Sequence, residues 1–238
     1  VILSVDIGNT STRYAIFEST KLRRVSYRLE ALVGKRPGIQ AVIYVSVNPD
    51  RERQILHLLR CKFGLKPLKL GRDLAFPIKV RYSPPSSVGA DRLANAVAAY
   101  ELARRMCMVI DLGTAITFDV VSKRGEFLGG AIAPGLGLLA RALSRGCALL
   151  PEIHPARPRH LIGKDTTQNI RIGTFWGVVG AIKQITVNIT DKLGKRPYIF
   201  GTGADANLFA GLGLFDTIRP YLTLEGIAIS YLKNVGPR

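Results

Sequence analysis

Acidic residues are scarce in this chain, and so are cysteine, histidine, tryptophan and methionine. The 238 residues include three Cys, three His, one Trp and two Met, with 17 Asp plus Glu against 34 Lys plus Arg. Cys61, Cys107 and Cys147 lie far apart and are odd in number, which argues against a disulfide framework and gives no zinc spacing. His57, His154 and His160 are equally scattered, without metal spacing. No stretch approaches the ~18 consecutive apolar residues of a membrane span. The most apolar long stretch, 173–182, is followed at once by Lys183. No signal peptide is visible at the N-terminus, where the apolar run stops at Asp6. A cytoplasmic location without a membrane partner is the expectation.

The shortage of acid leaves a net charge of +17. Such a field attracts nucleic acid or small anionic ligands. The basic residues are spread along the chain, and their densest groups (Lys21-Arg23-Arg24, Arg51-Arg53, Arg104-Arg105, Arg157-Arg159) are short. No helix-turn-helix, zinc finger or RNA-binding motif accompanies them, which disfavours a direct nucleic-acid role. A hydrophobic content of 47% with 21% charged residues is ordinary for a globular chain, long enough for one large domain or two small ones.

What the chain does have is a repeated corner. Residues 1–10 read Val-Ile-Leu-Ser-Val-Asp-Ile-Gly-Asn-Thr, an apolar strand stopped by Asp6 and turned at Gly8. Glycine and hydroxyl residues in such a turn let backbone N–H groups approach a phosphate, and a carboxylate at the strand end can orient Mg²⁺. An ordinary hairpin with a polar corner explains one copy equally well. The pattern recurs at Met108-Val109-Ile110-Asp111-Leu112-Gly113-Thr114-Ala115, and each copy leads into a second apolar stretch. Two corners, each opening about half of the chain, suggest a duplicated domain.

Further strands are expected at 14–17, 25–27 and 41–47, the last after a turn at Pro37-Gly38, with a helix over 49–62. Residues 72–88, rich in proline, read as an irregular crossing segment ending in Ser86-Ser87, candidate helix caps. An alanine-rich helix follows over 89–100, with Asp91 and Arg92 in its first turn. The helix dipole alone favours an acid there, so simple capping stands beside a functional role. Strands at 108–112, 116–121 and 127–133 then lead through Pro134-Gly135 to a helix over 136–145. Gly163-Lys164-Asp165-Thr166 precedes a long helix, and a short strand at 198–200 ends in Gly201-Thr202-Gly203-Ala204-Asp205. A last amphipathic helix covers 222–232. The expectation is an α/β fold in two similar lobes, residues 1–105 and 106–238.

The blocks Asp6-Ile7-Gly8-Asn9-Thr10, Gly89-Ala90-Asp91-Arg92, Asp111 to Asp119 and Gly129 to Gly135, in that order, resemble the type III pantothenate kinases. Asp-x-Gly alone occurs throughout the acetate kinase, sugar kinase, Hsp70 and actin superfamily; Asn9 and the Gly-Ala-Asp-Arg block are more specific. The resemblance implies two ribonuclease-H-like lobes of mixed sheet plus helices, of the actin-like ATPase superfamily. It implies ATP-dependent phosphorylation of the terminal hydroxyl of pantothenate, the first step towards coenzyme A, by a homodimer using Mg²⁺ and a monovalent cation, K⁺ or NH₄⁺. Carried over, Asp6, Ile7, Gly8, Asn9, Thr10, Ser11, Thr12 and Arg13 would hold the ATP phosphates, with Thr114 from the second corner. Asp91 would be the general base. Gly89, Ala90, Asp91 and Arg92 would line the pantothenate site with Tyr82 and Thr166. Asp111 would hold the monovalent cation, and Asp6 would orient Mg²⁺ through water. One departure stands out: the family's adenine-side turn usually reads Thr-Gly-Gly, whereas Thr202-Gly203 is followed here by Ala204. The competing readings are a non-catalytic accessory factor on the same fold that contacts nucleic acid, and a kinase for another small hydroxy acid.

Overall fold

The computed structural model describes residues 1–32 and 38–236. Pro37, half of the expected turn before the fourth strand, lies outside them. The elements in order are β1 (Ile2–Ile7), β2 (Thr12–Glu18), β3 (Lys21–Ser26), α1 (Leu29–Leu32), β4 (Ala41–Ser46), α2 (Pro49–Phe63), β5 (Leu68–Lys69), β6 (Lys79–Val80), α3 (Ala90–Ala103), β7 (Cys107–Leu112), β8 (Ala115–Val121), β9 (Glu126–Pro134), α4 (Leu136–Gly146), α5 (Thr166–Leu193), β10 (Tyr198–Thr202), β11 (Thr217–Ile218) and α6 (Leu222–Val235). Among the described residues no helix is long and apolar enough to cross a membrane.

Two compact units are present. The first holds Val1–Met106, Val120–Gly129 and Tyr221–Arg238; the second holds Cys107–Asp119 and Gly130–Pro220. This differs from the expected division into 1–105 and 106–238. The chain returns at its end: α6 packs on α3 and on β1, so it groups with the first unit.

The first sheet has the order β3-β2-β1-β4-β5, with β1–β2 and β2–β3 antiparallel and β1–β4 and β4–β5 parallel. Every residue of β1 is buried, so this strand is covered on both faces. The pleat sorts its side chains. Leu3, Val5 and Ile7 join Tyr14, Ile16, Val42 and Tyr44 over Leu29, Leu32 and Leu59 of the two nearby helices. Ile2 joins Ala15, Phe17, Ile43 and Val45 on the opposite face, under Ala94 of α3 and Leu224, Ile227 and Ala228 of α6. Asp6 shares the parity of Ile2 and so belongs to the face covered by α3 and α6.

The second unit repeats the pattern. Starting from β9, its strands run β9-β8-β7-β10-β11, the order of the first sheet, with β7–β10 and β10–β11 parallel. Each Asp-x-Gly corner therefore ends the central strand of its sheet, as expected of a duplication. In the first unit, β6 pairs in parallel with Glu126 and Phe127 of β9.

Most local signals act as expected. Asn48 caps α2 by accepting from the Arg51 N–H at 3.0 Å, and Gly64 at φ 65° closes it. Ser86 and Ser87 do not cap α3. They lie in a 3₁₀ turn, Pro85–Ser87, where the Ser87 hydroxyl donates to the Pro84 carbonyl at 2.7 Å. Gly89 is the N-cap residue of α3 and gives no side-chain cap. The Pro84-Pro85 pair fixes φ and sets up this turn, which consumes the serines before the helix starts.

The approach of α6 to α3 depends on Gly226. A Cβ there would sit 1.9 Å from the Ala94 carbonyl oxygen, a backbone atom that cannot swing away. Gly226→Ala is expected to cost about 1–3 kcal/mol by overpacking. In a chain of this length that lowers Tm by roughly 2–4 °C per kcal/mol, measurable by calorimetry. An unchanged Tm would mean that the two helices do not pack this closely.

Candidate active site

The first corner is built from two neighbouring strands. Asp6 at the end of β1 lies directly opposite Arg13 on β2. Arg13 donates to Asp6 Oδ2 from Nε at 3.1 Å and from Nη2 at 2.7 Å. Asp6 is 5% exposed. A carboxylate so buried needs a partner, and the guanidinium supplies it. Between these residues the chain turns tightly, with the Gly8 N–H bonded to the Ser11 carbonyl at 3.0 Å. Asn9, Thr10 and Ser11 form its exposed tip, and Ile7 is buried beneath. The corner thus has a rigid acidic base and a solvent-facing rim of amide and hydroxyl groups.

The start of α3 forms a second cluster in the same unit. Asp91 Oδ1 accepts from the Arg92 N–H at 2.8 Å, so part of its role is the simple capping allowed by the sequence. Gly89 admits this arrangement, because a Cβ there would lie 2.5 Å from Asp91 Oδ1. Asp91 is half-buried and Arg92 is 8% exposed. The Arg92 guanidinium lies 5.6 Å from the ring centre of Phe127, and Tyr82 meets the same ring edge-on at 6.3 Å. Phe127 therefore brings Tyr82 and Arg92 together, as two of the expected substrate contacts. Ala90 is the first residue of α3.

In the second unit, three loops meet around Asp111. The Gly113 N–H bonds the Ala115 carbonyl at 3.1 Å, the Gly135 N–H bonds the Thr114 carbonyl at 3.1 Å, and the Asp205 N–H bonds the Leu112 carbonyl at 3.0 Å. Gly203 has φ 94°, and a Cβ there would lie 2.5 Å from Asp111 Oδ1 and 2.4 Å from the Leu112 carbonyl oxygen. Only glycine fits at that point. Ala204, by contrast, is exposed and is not among the residues of positive φ, so alanine sits in the turn without backbone strain. Thr202 pairs with Asp111 across β10 and β7; it is fully buried, and its hydroxyl has no hydrogen-bond partner. Burial pushes the Asp205 carboxyl above its ordinary value. Thr166 opens α5 directly after its cap Asp165, which accepts from the Gln168 N–H at 2.8 Å. It lines an apolar groove of about 820 Å³ with Leu139, Leu143, Leu150 and Ile170.

The structure thus places Asp6 to Arg13, Tyr82 and Gly89 to Arg92 in the first unit, and Asp111, Thr114 and Thr166 in the second. Sequence reasoning passed over Phe127, Asn95 and Thr223. Asn95 carried a signal, as a lone amide in an alanine-rich helix four positions after Asp91. Thr223 carried none.

Two sheets that share a strand order, each with an acid at the end of the strand that leads into an Asp-x-Gly corner, define an α/β fold. A Campylobacter jejuni protein described as a Baf family transcriptional activator has the same fold, with a TM-score of 0.63 at 23% identity over 98% of both chains. The sequence places the chain more narrowly. Residues 2–188 match the family model of type III pantothenate kinase. A type III pantothenate kinase from Anaeromyxobacter sp. (strain K) is 36% identical over 254 residues, spanning 98% of this chain and all of that one. One from Dehalococcoides mccartyi is also 36% identical, covering 98% of each chain. The chain belongs to the type III pantothenate kinase family.

Two outcomes follow from the geometry. Arg13→Met strands a buried carboxylate, at an expected cost of roughly 3–5 kcal/mol, and adding Asp6→Asn recovers much of it. Urea unfolding reads both; a loss under about 1 kcal/mol for the single variant contradicts the pairing. Asp205 titrates above its unfolded value, so its ionisation destabilises the fold as pH rises through the folded pKa. Asp205→Asn should therefore raise Tm at pH 7. The gain should vanish as pH falls below the ordinary carboxylate range, and a gain independent of pH would contradict it.

Proposed function

We propose that this chain transfers the γ-phosphate of ATP to the terminal hydroxyl of pantothenate. The observation that carries the reading is the Asp91–Arg92 pair at the start of α3: a half-buried carboxylate beside a buried guanidinium. Pantothenate presents both a hydroxyl to be deprotonated and a carboxylate to be paired. The full-length match to relatives named type III pantothenate kinase supports the same substrate.

Phosphoryl transfer asks mainly for positioning and charge neutralisation. In this reading the turn from Gly8 to Thr12, with Asp6 and Arg13 at its base, holds the ATP phosphates. Gly89, Ala90, Arg92 and Tyr82 contact pantothenate, and Asp91 takes the proton of the attacking hydroxyl. A base must lie within hydrogen-bond reach of that proton, which the small neighbours Gly89 and Ala90 allow.

The residues present fit both cations. Among the described residues no three His, Cys, Asp or Glu side chains cluster into a cage. Mg²⁺ rarely needs one, because waters and substrate phosphates complete its shell. Arg13 donates to Asp6 Oδ2 from both Nε and Nη2, so Oδ1 is the atom that would accept from a hydrating water. Asp111, beside the unpartnered Thr202 hydroxyl, gives a monovalent cation, K⁺ or NH₄⁺, a hard oxygen donor set. When bound, such cations offset charge on the transferring phosphates. A cytoplasmic homodimer is part of the reading; exposed Trp176 and Val187 on α5, with Leu161 and Ile162 before it, support the pairing of two copies.

Asp91→Asn is expected to lower kcat by about 10²–10⁴ while ATP affinity stays near wild type. Turnover in a coupled assay and ATP binding by calorimetry measure the two. Near wild-type kcat in the variant removes Asp91 from the base role.

A further inference from the structure

The Asp6–Arg13 pair is the end of a longer chain of buried polar groups. Arg13 Nη2 also donates to Thr223 Oγ1 on α6 at 3.4 Å. The Thr223 hydroxyl in turn donates to Asn95 Oδ1 on α3 at 2.9 Å. Thr223 is 1% exposed and Asn95 is fully buried. The direction of this chain is fixed by chemistry. A guanidinium only donates, so Thr223 accepts from Arg13 and has one proton left to give, which the amide oxygen of Asn95 takes.

Such a group set is costly to bury in an otherwise apolar layer of Ala94, Leu224, Ile227 and Ala228. A fold needing only stability would fill the space with aliphatic side chains. What the relay does is aim a guanidinium. The long Arg13 side chain must present Nε and Nη2 to one oxygen of Asp6 and leave the other. Thr223, held by Asn95, pins the far side of the same Nη2. Asn95 lies four positions after Asp91, one helical turn along the same face of α3. The helix bearing the candidate base is thereby tied to the carboxylate of the phosphate corner.

We propose that Thr223 and Asn95 are positioning residues for Asp6: they fix the Arg13 clamp on Oδ2 so that Oδ1 stays oriented towards the hydration shell of Mg²⁺ brought in with ATP. This rests on the reading of the first corner as the phosphate site. Groups that orient a metal-binding carboxylate typically matter by about 10–100-fold in metal affinity or activity.

Calorimetric titration with ATP, in excess EDTA and then in Mg²⁺, tests this on the intact chain. Wild type should bind ATP more tightly with Mg²⁺. In Thr223→Val, which keeps the shape and removes the hydroxyl, the Mg²⁺-dependent gain should fall about 10-fold. ATP affinity in EDTA should fall by less than the Mg²⁺-dependent gain does, because the main-chain turn from Gly8 to Ser11 lies outside the relay. Thr223→Ser should restore the gain, and Asn95→Leu, which breaks the far end, should reproduce the loss. A purely structural role predicts lower Tm with the Mg²⁺ gain intact, or equal losses with and without Mg²⁺; either result overturns the proposal. So does a wild type that shows no Mg²⁺ gain. If wild type binds Mg²⁺–ATP but leaves pantothenate unphosphorylated, the substrate assignment fails while the relay is still judged by these titrations.

Discussion

A carboxylate buried at the end of a central strand constrains everything near it. Asp6 sits on a strand covered on both faces with little access to water, so Arg13 on the neighbouring strand must offset its charge. That one ion pair requires several other features. It requires a register that puts residues 6 and 13 opposite each other, and hence the tight turn between them. It requires a polar partner for the rest of the guanidinium, which is Thr223 on the last helix. It therefore requires the chain to return from its far end to the first sheet, with Gly226 letting α6 come close to α3. The polar corner is not decoration on a finished core; the core is arranged to hold it.

The second unit meets a similar demand differently. Asp111 ends its central strand, as Asp6 does in the first unit, but is only partly buried, and a glycine backbone approaches it closely. Gly203 brings its backbone close to Asp111, and Thr202 is its partner across β10 and β7. The two strand-end acids sit in different settings: Asp6 is paired with Arg13, and Asp111 is met by a close glycine backbone. Ala204 in the adjoining turn marks where this chain departs from the family pattern, at a position whose backbone tolerates it.

Much of this was legible in the residues, and the reason is local. Apolar runs broken by Asp-x-Gly mark strands and corners because the signal lies within ten residues. Asn48 and Gly64 mark the ends of α2 for the same reason. The α/β class and the family followed from such segments. What was hidden depends on contacts distant in sequence. Nothing near Thr223 indicates that its hydroxyl meets Asn95, 128 positions earlier. Phe127 looks like any strand residue until Tyr82 and Arg92 are seen against its ring. Ser86 and Ser87 misled because a proline-driven 3₁₀ turn intervened before the helix. The excess of basic residues was plain from composition, but its meaning was not: Arg13 holds the first corner and Arg92 is buried at the start of α3, while most others among the described residues are exposed.

The most direct test of the account is ADP release by the wild-type chain in Mg²⁺ and K⁺, measured with and without pantothenate. The account predicts ADP formation that depends on pantothenate and is accompanied by a phosphorylated product. ATP consumption indifferent to pantothenate, or none at all in its presence, would contradict it.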